Sequence, residues 1–374
     1  MNEPSGRTPR SLRPGVPFAD LTTLAVGGPA TYLAACSSTE ELVETLTWAQ
    51  GKSLPLFILG GGSNLLVADE GFQGVAIELL DQSLHFEAAG SAWRVRAGAG
   101  LPWDRLVAAT VERGLTGIEA LSGIPGRVGA APIQNIGAYG QELATHLENV
   151  QVIDTRTGSQ RSWTAAECQF GYRTSIFKGA EHRHLWVTGI TLLLSAGNPT
   201  LAYGELQRRF SANDLTPSAE PTPENVRHQV LDIRRSKSML LGGDDPNRRS
   251  AGSFFVNPVI QPDEAQLTQQ KVENLRGPSA AKTMPQYPQP DGRIKLSAAW
   301  LIEAAGFHKG YCLGAAGLST RHCLALVNRG GATAEELVAL AARIRQRVRH
   351  AFGVTLVPEP VFLGFASTVD ELLG

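Results

Sequence analysis

An α+β fold divided over two or three domains is what this sequence predicts, on three observations. The chain has 374 residues, 43% apolar and 18% charged, too long for one ordinary core and balanced like a globular protein. Residues 38–62 read helix, then strand, then glycine loop, the order of an α/β layer. Residues 74–97 then turn to strand-like patterning before helical signals return.

Taken in order, segment 38–49 opens with Ser38 and places Glu41 three residues on, a capping box, with Leu42, Leu46 and Ala49 on one helical face. After a turn at Gly51, Pro55 to Leu59 is a short apolar strand running into Gly60-Gly61-Gly62. Three strand-like runs follow, at 74–79, 84–89 and 93–98, and then a helix at 103–112 that ends near Gly114. Residues 122–140 are apolar yet full of helix breakers, so a buried or ligand-covered loop is expected there. Strands are expected at 148–154 and 184–195, and a polar, proline-bearing connection at 211–225 leads into a helix at 224–235. Residues 238–250 and 276–293 read as loops of a third module. Its best element is a helix at 334–350: Thr333 and Glu336 make a second capping box, Leu337, Leu340, Ala341, Ile344 and Val348 share a face, and Gly353 closes it. A last strand spans 357–363, and no internal repeat is present.

The bulk properties exclude several functions. A net charge of −1 creates no global field to recruit nucleic acid or an anionic membrane, so local groups must hold any anionic ligand. Cys36, Cys168, Cys312 and Cys323 form no CxxC pair, which argues against a disulfide framework or zinc site and for a reducing compartment. None of the eight histidines is spaced as a metal-ligand pair on a helix; His182 and His184 read as surface residues, and no metal is expected. The start of the chain is polar and has no apolar targeting stretch, and residues 1–16 are expected to be a disordered tail.

Two loops suggest a cofactor. Gly60, Gly61 and Gly62 let backbone N–H groups turn toward an anion, and Ser63 and Asn64 add side-chain donors. The loop is neither GxGxxG nor GxxxxGK[ST], and alone it reads as a tight turn. Residues 122–140 supply a second set of backbone donors, with Gln134 and Asn135 as amides and almost no charge. Such a surface suits a large flat ring system carrying a diphosphate, and two such loops point to a dinucleotide. Arg173, Ser253 and Glu359 each sit in apolar or aromatic settings. Singly, Arg173 reads as a surface charge, Ser253 as a turn residue and Glu359 as a strand-end charge; together an arginine, a hydroxyl and a carboxylate are what reduction of an enol ether conjugated to a carboxylate uses: charge stabilisation, proton donation to carbon, and orientation or relay.

These motifs, in this order, resemble the UDP-N-acetylenolpyruvoylglucosamine reductase (MurB) family over nearly the whole chain, from about residue 22 to 364. The resemblance rests on LAVGGPA (24–30), LGGGSNLL (59–66), SGIPGRVGAAPIQNIGAYG (122–140), YRTSIFK (172–178), SAGSFFVNP (250–258), KLSAAWLIEAAGFHKG (295–310) and PEP (358–360). It implies an FAD-binding fold of the vanillyl-alcohol oxidase/PCMH type, with two α+β subdomains enclosing FAD and a C-terminal α+β substrate-binding domain. The expected boundaries are 17–77 completed by 355–374, then 78–238, then 239–354. It implies non-covalent FAD with NADPH as co-substrate, held by Gly60, Gly61, Gly62, Ser63, Asn64 and Leu65 at the diphosphate and by Ile124, Pro125, Gly126, Gly129, Ala130, Gln134, Asn135, Gly137, Ala138, Tyr139 and Tyr172 around the flavin. By the same resemblance Arg173 steadies an enolate, Ser253 protonates the adjacent carbon and Glu359 assists. Tyr203 covers substrate, as in the longer type of the family, and Lys237 and Asn257 hold the UDP diphosphate and nearby groups. His322 departs from the acidic or amide residue of some relatives and is given no contact, and Val357, Pro360 and Val361 imply a drier setting for Glu359. Small-molecule partners, no nucleic acid, no membrane insertion, no obligate protein partner and a cytoplasmic location follow from the same resemblance. The alternatives are an FAD oxidase of the wider fold, many of which attach FAD through a histidine near the phosphate loop that this chain lacks there, and a non-catalytic flavin-binding protein, which predicts loss of Arg173, Ser253 or Glu359.

Overall fold

A computed structural model describes residues 8–211 and 221–374. The described residues form two compact units, one of residues 8–16, 30–62, 73–211 and 221–241 and the other of 17–29, 63–72 and 242–374. Residues 355–374 cluster with 242–354, and 30–62 with 73–211.

In the first unit, helix Thr39–Gly51 starts at Ser38, whose hydroxyl accepts from the Glu41 N–H at 3.3 Å, while Glu41 accepts from the Ser37 N–H at 2.7 Å. It packs on a four-stranded sheet ordered Leu12–Pro17, Pro29–Cys36, Phe72–Leu79, Leu56–Leu59. The strand at Leu12–Pro17 corrects the expected tail: pairing with Pro29–Cys36 orders a segment whose composition alone looked unstructured, and residues 1–7 lie outside the described residues. A second, antiparallel sheet is ordered Gln160–Thr164, Leu147–Asp154, Leu185–Ala196, Ala92–Gly98, Leu84–Ala89. Its inner face and helix Trp103–Val111 bury the core under the loop at 122–140. The expected connection at 211–225 lies largely outside the described residues; on either side stand helices Gly204–Ser211 and Pro223–Ser236. His182 and His184 are stacked and partly buried beside Trp163 rather than free on the surface.

In the second unit, helix Ala334–Phe352 carries its capping box and closes at Gly353 with φ 78°. It is the spine of a core that includes Leu301, Ile302, Leu318, Leu326, Leu337 and Ile344. Helix Pro262–Arg276 was not legible, since its buried positions Ala265, Thr268 and Val272 make only a sparse stripe. The expected loop 276–293 in fact contains helix Pro278–Thr283 and strand Gln286–Pro288, with Gly277 at φ 86° breaking the two helices apart. The last strand is shorter than expected, Val361–Leu363, because Pro358 and Pro360 lack N–H donors for a continuous ladder. No helix among the described residues is long and apolar enough to cross a membrane.

Candidate active site

Strand Leu56–Leu59, parallel to Phe72–Leu79, delivers Gly60, Gly61 and Gly62 at its end. A Cβ on Gly61 would stand 2.8 Å from the Cα of Gly126, so glycine alone lets the two loops meet there. Among the described residues the N–H groups of Gly60, Gly61 and Gly62 donate to no protein acceptor, which leaves a row of donors suited to an anion. The second loop is strung along residues 99–103: the Gly129 and Val128 N–H groups donate to Ala99 and Leu101 at 2.9 Å each, and Trp103 donates to Gly126 at 3.0 Å. Ile124 packs on the core, Pro125 and Gly126 are half-buried and Ala130 is exposed. The Gly123 N–H donates at 2.6 Å to Asp104, whose carboxylate also takes both arms of Arg227 at 2.6 and 2.8 Å. Burial works to raise the Asp104 carboxyl, but Arg227 and Gly123 outweigh it and hold it below its ordinary value.

Three residues with side chains adopt left-handed backbone in this region: Asn135 (φ 46°), Tyr139 (φ 49°) and Arg173 (φ 54°). Outside glycine this costs about 1–2 kcal/mol per residue and persists only where neighbours enforce it. Asn135 is buried, and its amide accepts from Ala144 N–H at 3.0 Å and donates to the Gly171 carbonyl at 3.2 Å. Its side chain thus ties this loop to residues 144 and 171. Gly171 and Thr174 exchange hydrogen bonds of 3.1 and 3.2 Å around Tyr172 and Arg173, a two-residue turn. The Arg173 Nη2 donates to the Gly137 carbonyl at 2.6 Å, and its guanidinium lies 5.8 Å from the centre of the exposed Tyr172 ring.

Gln134 is half-buried just before this turn region. Gly137–Ala138 pairs with Gln141–Glu142 as a hairpin with Tyr139 and Gly140 at its tip. The Tyr139 ring meets the Tyr203 ring edge-on at 5.5 Å, and the Lys237 ammonium lies 6.0 Å from the Tyr139 ring centre. Lys237 pairs with Glu205 at 2.7 Å, which ties it to the helix that Tyr203 precedes. Arg173, Tyr139, Tyr203 and Lys237 are therefore drawn together in one unit. Two neighbours were missed by sequence reasoning. Glu205 had no signal, but Arg234 did: it falls four residues after Val230 on the apolar face of helix Pro223–Ser236. Arg234 is buried and donates to the Met239 carbonyl at 2.9 Å, and its Nε has no protein acceptor. Burial raises the Tyr139 hydroxyl above its ordinary value, with the Arg234 charge opposing.

In the second unit, residues 254–256 run beside 357–359. The Glu359 N–H donates to the Phe254 carbonyl at 2.8 Å, and Val256 N–H to Val357 at 2.9 Å. The segments carrying Ser253 and Glu359 are thereby set side by side, both residues half-buried. Asn64 joins them: its Nδ2 donates to the Glu359 carbonyl at 3.2 Å and its own carbonyl accepts from Val361 at 3.0 Å. Leu65, just after Ser63 and Asn64, starts a strand parallel to Val361–Leu363. The Asn257 Oδ1 accepts from the Ala298 N–H at 2.9 Å, so its oxygen serves the start of helix Ala298–Ala304. The His322 Nδ1 accepts from Leu324 N–H at 3.1 Å. Val357 and Val361 are 60% and 48% exposed, while Pro360, directly after Glu359, is buried.

Comparison with known proteins places these units. Residues 30–163 match the FAD binding domain family model, and residues 245–363 match that of the UDP-N-acetylenolpyruvoylglucosamine reductase C-terminal domain. The UDP-N-acetylenolpyruvoylglucosamine reductase of Thermobifida fusca (strain YX) is 49% identical over 95% of this chain and 98% of its own length. That of Nocardia farcinica (strain IFM 10152) is 44% identical over 96% of this chain and 91% of its own. Among solved structures, the MurB reductase of Thermus caldophilus superposes with a TM-score of 0.62 at 27% identity, covering 94% of this chain and 99% of that one. The fold is therefore an FAD-binding domain with a C-terminal domain, α+β throughout. The donor row at Gly60–Gly62, closed against Gly126, and the loop beyond it, whose one charged residue Arg127 is paired with Glu78, fit a dinucleotide of that kind.

Proposed function

Because the chain belongs to the UDP-N-acetylenolpyruvoylglucosamine reductase family, we propose that it is the FAD-dependent enzyme that reduces UDP-N-acetylglucosamine enolpyruvate to UDP-N-acetylmuramate for peptidoglycan synthesis, using NADPH in the cytoplasm. The observation that carries this reading is the convergence of Arg173, Tyr139, Tyr203 and Lys237 on the end of the glycine-rich loop. When bound, FAD supplies the hydride that NADPH gives it and that the enolpyruvyl methylene carbon receives.

The residues of the chain bind, orient and move the proton. Gly60, Gly61 and Gly62, with Ser63 and Asn64, present donors to the diphosphate, and the 124–139 loop lines the flavin. Lys237 exchanges Glu205 for the diphosphate of the UDP group, a point charge moving from one anion to another. Tyr203, at the start of the helix that carries Glu205, covers the substrate, and NADPH uses the same cleft. Arg173 directs its guanidinium at the charge that develops on the substrate carboxylate as the carbon–hydrogen bond forms. Ser253 gives its hydroxyl proton to the adjacent carbon, with Glu359 orienting or relaying.

The phosphate loop holds no histidine for attachment, so the FAD is non-covalent. Purified protein should be yellow, and acid denaturation should release all of the colour into the supernatant as FAD. Colour retained by the precipitated chain would contradict non-covalent FAD.

A further inference from the structure

Glu119 is 0% exposed, and it sits between the start of the flavin-facing loop and its far end. Its own carbonyl accepts from the Ser122 hydroxyl at 2.6 Å and the Ser122 N–H at 3.2 Å, where the loop begins. Its carboxylate accepts from the Gly117 N–H at 2.6 Å, the Thr116 hydroxyl at 3.1 Å and the Gln141 Nε2 at 2.6 Å. The Gln141 Oε1 in turn accepts from the Ala120 N–H at 2.8 Å. A carboxylate accepts and a backbone N–H donates, so the Gln141 amide has a single orientation between them.

Gln141 directly follows the hairpin tip Tyr139-Gly140, at φ 49° and 86°, and pairs with Ala138 across the turn. Positive φ at both central residues makes a type I′ turn, which favours Asn or Gly and strains a tyrosine. A strained residue stays in place only when its surroundings over-determine it. On the opposite strand of the same hairpin, Gly137 offers the carbonyl on which the Arg173 guanidinium docks. One buried carboxylate thus grips, through one amide, the element that carries both Tyr139 and the Arg173 anchor.

We infer that Glu119 is a positioning residue, which through Gln141 holds the Gly137–Glu142 hairpin in the register that aims Arg173. The inference rests on the role proposed for Arg173. In Glu119→Gln, the new amide must turn its NH₂ toward either Gly117 or Gln141, so a donor faces a donor and one grip on the hairpin is lost.

The test is a double-mutant cycle on the FAD-loaded enzyme, with Glu119→Gln, Arg173→Lys and the pair, reading kcat, KM, flavin content and thermal stability. Glu119→Gln should lower kcat by up to about 10²-fold, the scale of a small misplacement in a pre-set site, with KM and flavin content little changed. In the Arg173→Lys background its further effect should fall below about 2-fold, whereas independent effects multiply within that tolerance. Ile190→Val, in the sheet core of the same unit, serves as a purely structural control and should lower thermal stability without lowering kcat. Multiplying effects, or a kcat loss in the control equal to that in Glu119→Gln, would overturn the inference. If Glu119→Gln does not fold, Gln141→Met removes the same bridge and carries the same cycle. A near-normal kcat in Arg173→Lys alone would instead sink the role of Arg173, a failure that the single variant reveals by itself.

Discussion

Arg173→Lys should lower kcat by about 10²–10³-fold, or roughly 2.7–4 kcal/mol of transition-state stabilisation, while FAD binding stays nearly intact. The charge that Arg173 meets exists only while the carbon–hydrogen bond forms, so its loss appears in kcat rather than KM. Lysine keeps the positive charge but not the planar fork, and only the fork reaches the Gly137 carbonyl at 2.6 Å while presenting its remaining N–H groups elsewhere. Lys237→Ala is the counterpart. It removes a binding charge and should raise KM for the enolpyruvyl substrate, and for NADPH through the shared cleft, with kcat much less affected. Steady-state kinetics on both variants decide between the roles: a near-normal kcat in Arg173→Lys with collapsed substrate binding would reverse them.

Ser253→Ala should separate the two half-reactions. NADPH should still bleach the flavin at the normal rate, because that step puts no proton on substrate carbon. Reoxidation by the enolpyruvyl substrate should slow by about 10²–10⁴-fold, the contribution of a positioned proton donor. Stopped-flow absorbance of the flavin measures both. The backbone around Ser253 is fixed by the Phe254–Leu324 and Phe254–Glu359 hydrogen bonds, neither of which involves the hydroxyl, so the substitution leaves the scaffold in place. Equal slowing of the two half-reactions would assign Ser253 a structural role.

What could be read from the sequence was what local chemistry encodes. Ser38 with Glu41 and Thr333 with Glu336 announce their helices because a cap is a contact over three residues. The glycine loops announce themselves because glycine has few other reasons to cluster. Helix Pro262–Arg276 did not, since three small or polar buried residues make no apolar stripe, although Pro262 and Glu264 in its first turn were the available clue. Arg173, Ser253 and Glu359 could be nominated by type and setting. That the Ser253 and Glu359 segments lie side by side required the pairing of 254–256 with 357–359, more than a hundred residues apart. Glu119 was invisible for the opposite reason: a glutamate in GIEAL looks like a solvated charge, and only the folded chain surrounds it with donors. Asn135 and Asn257 show the same limit, for an amide in a loop can face a ligand or its own backbone, and here both spend side-chain atoms on backbone.

The central claim is a substrate and a reaction, and anaerobic flavin titration addresses it most directly. The protein is reduced with one equivalent of NADPH until its visible absorbance bleaches, and then mixed with UDP-N-acetylglucosamine enolpyruvate in the absence of dioxygen. The account predicts stoichiometric return of the oxidised flavin spectrum with formation of UDP-N-acetylmuramate. A flavin that stays reduced with that substrate, yet is reoxidised rapidly by dioxygen, would contradict it and identify an oxidase instead.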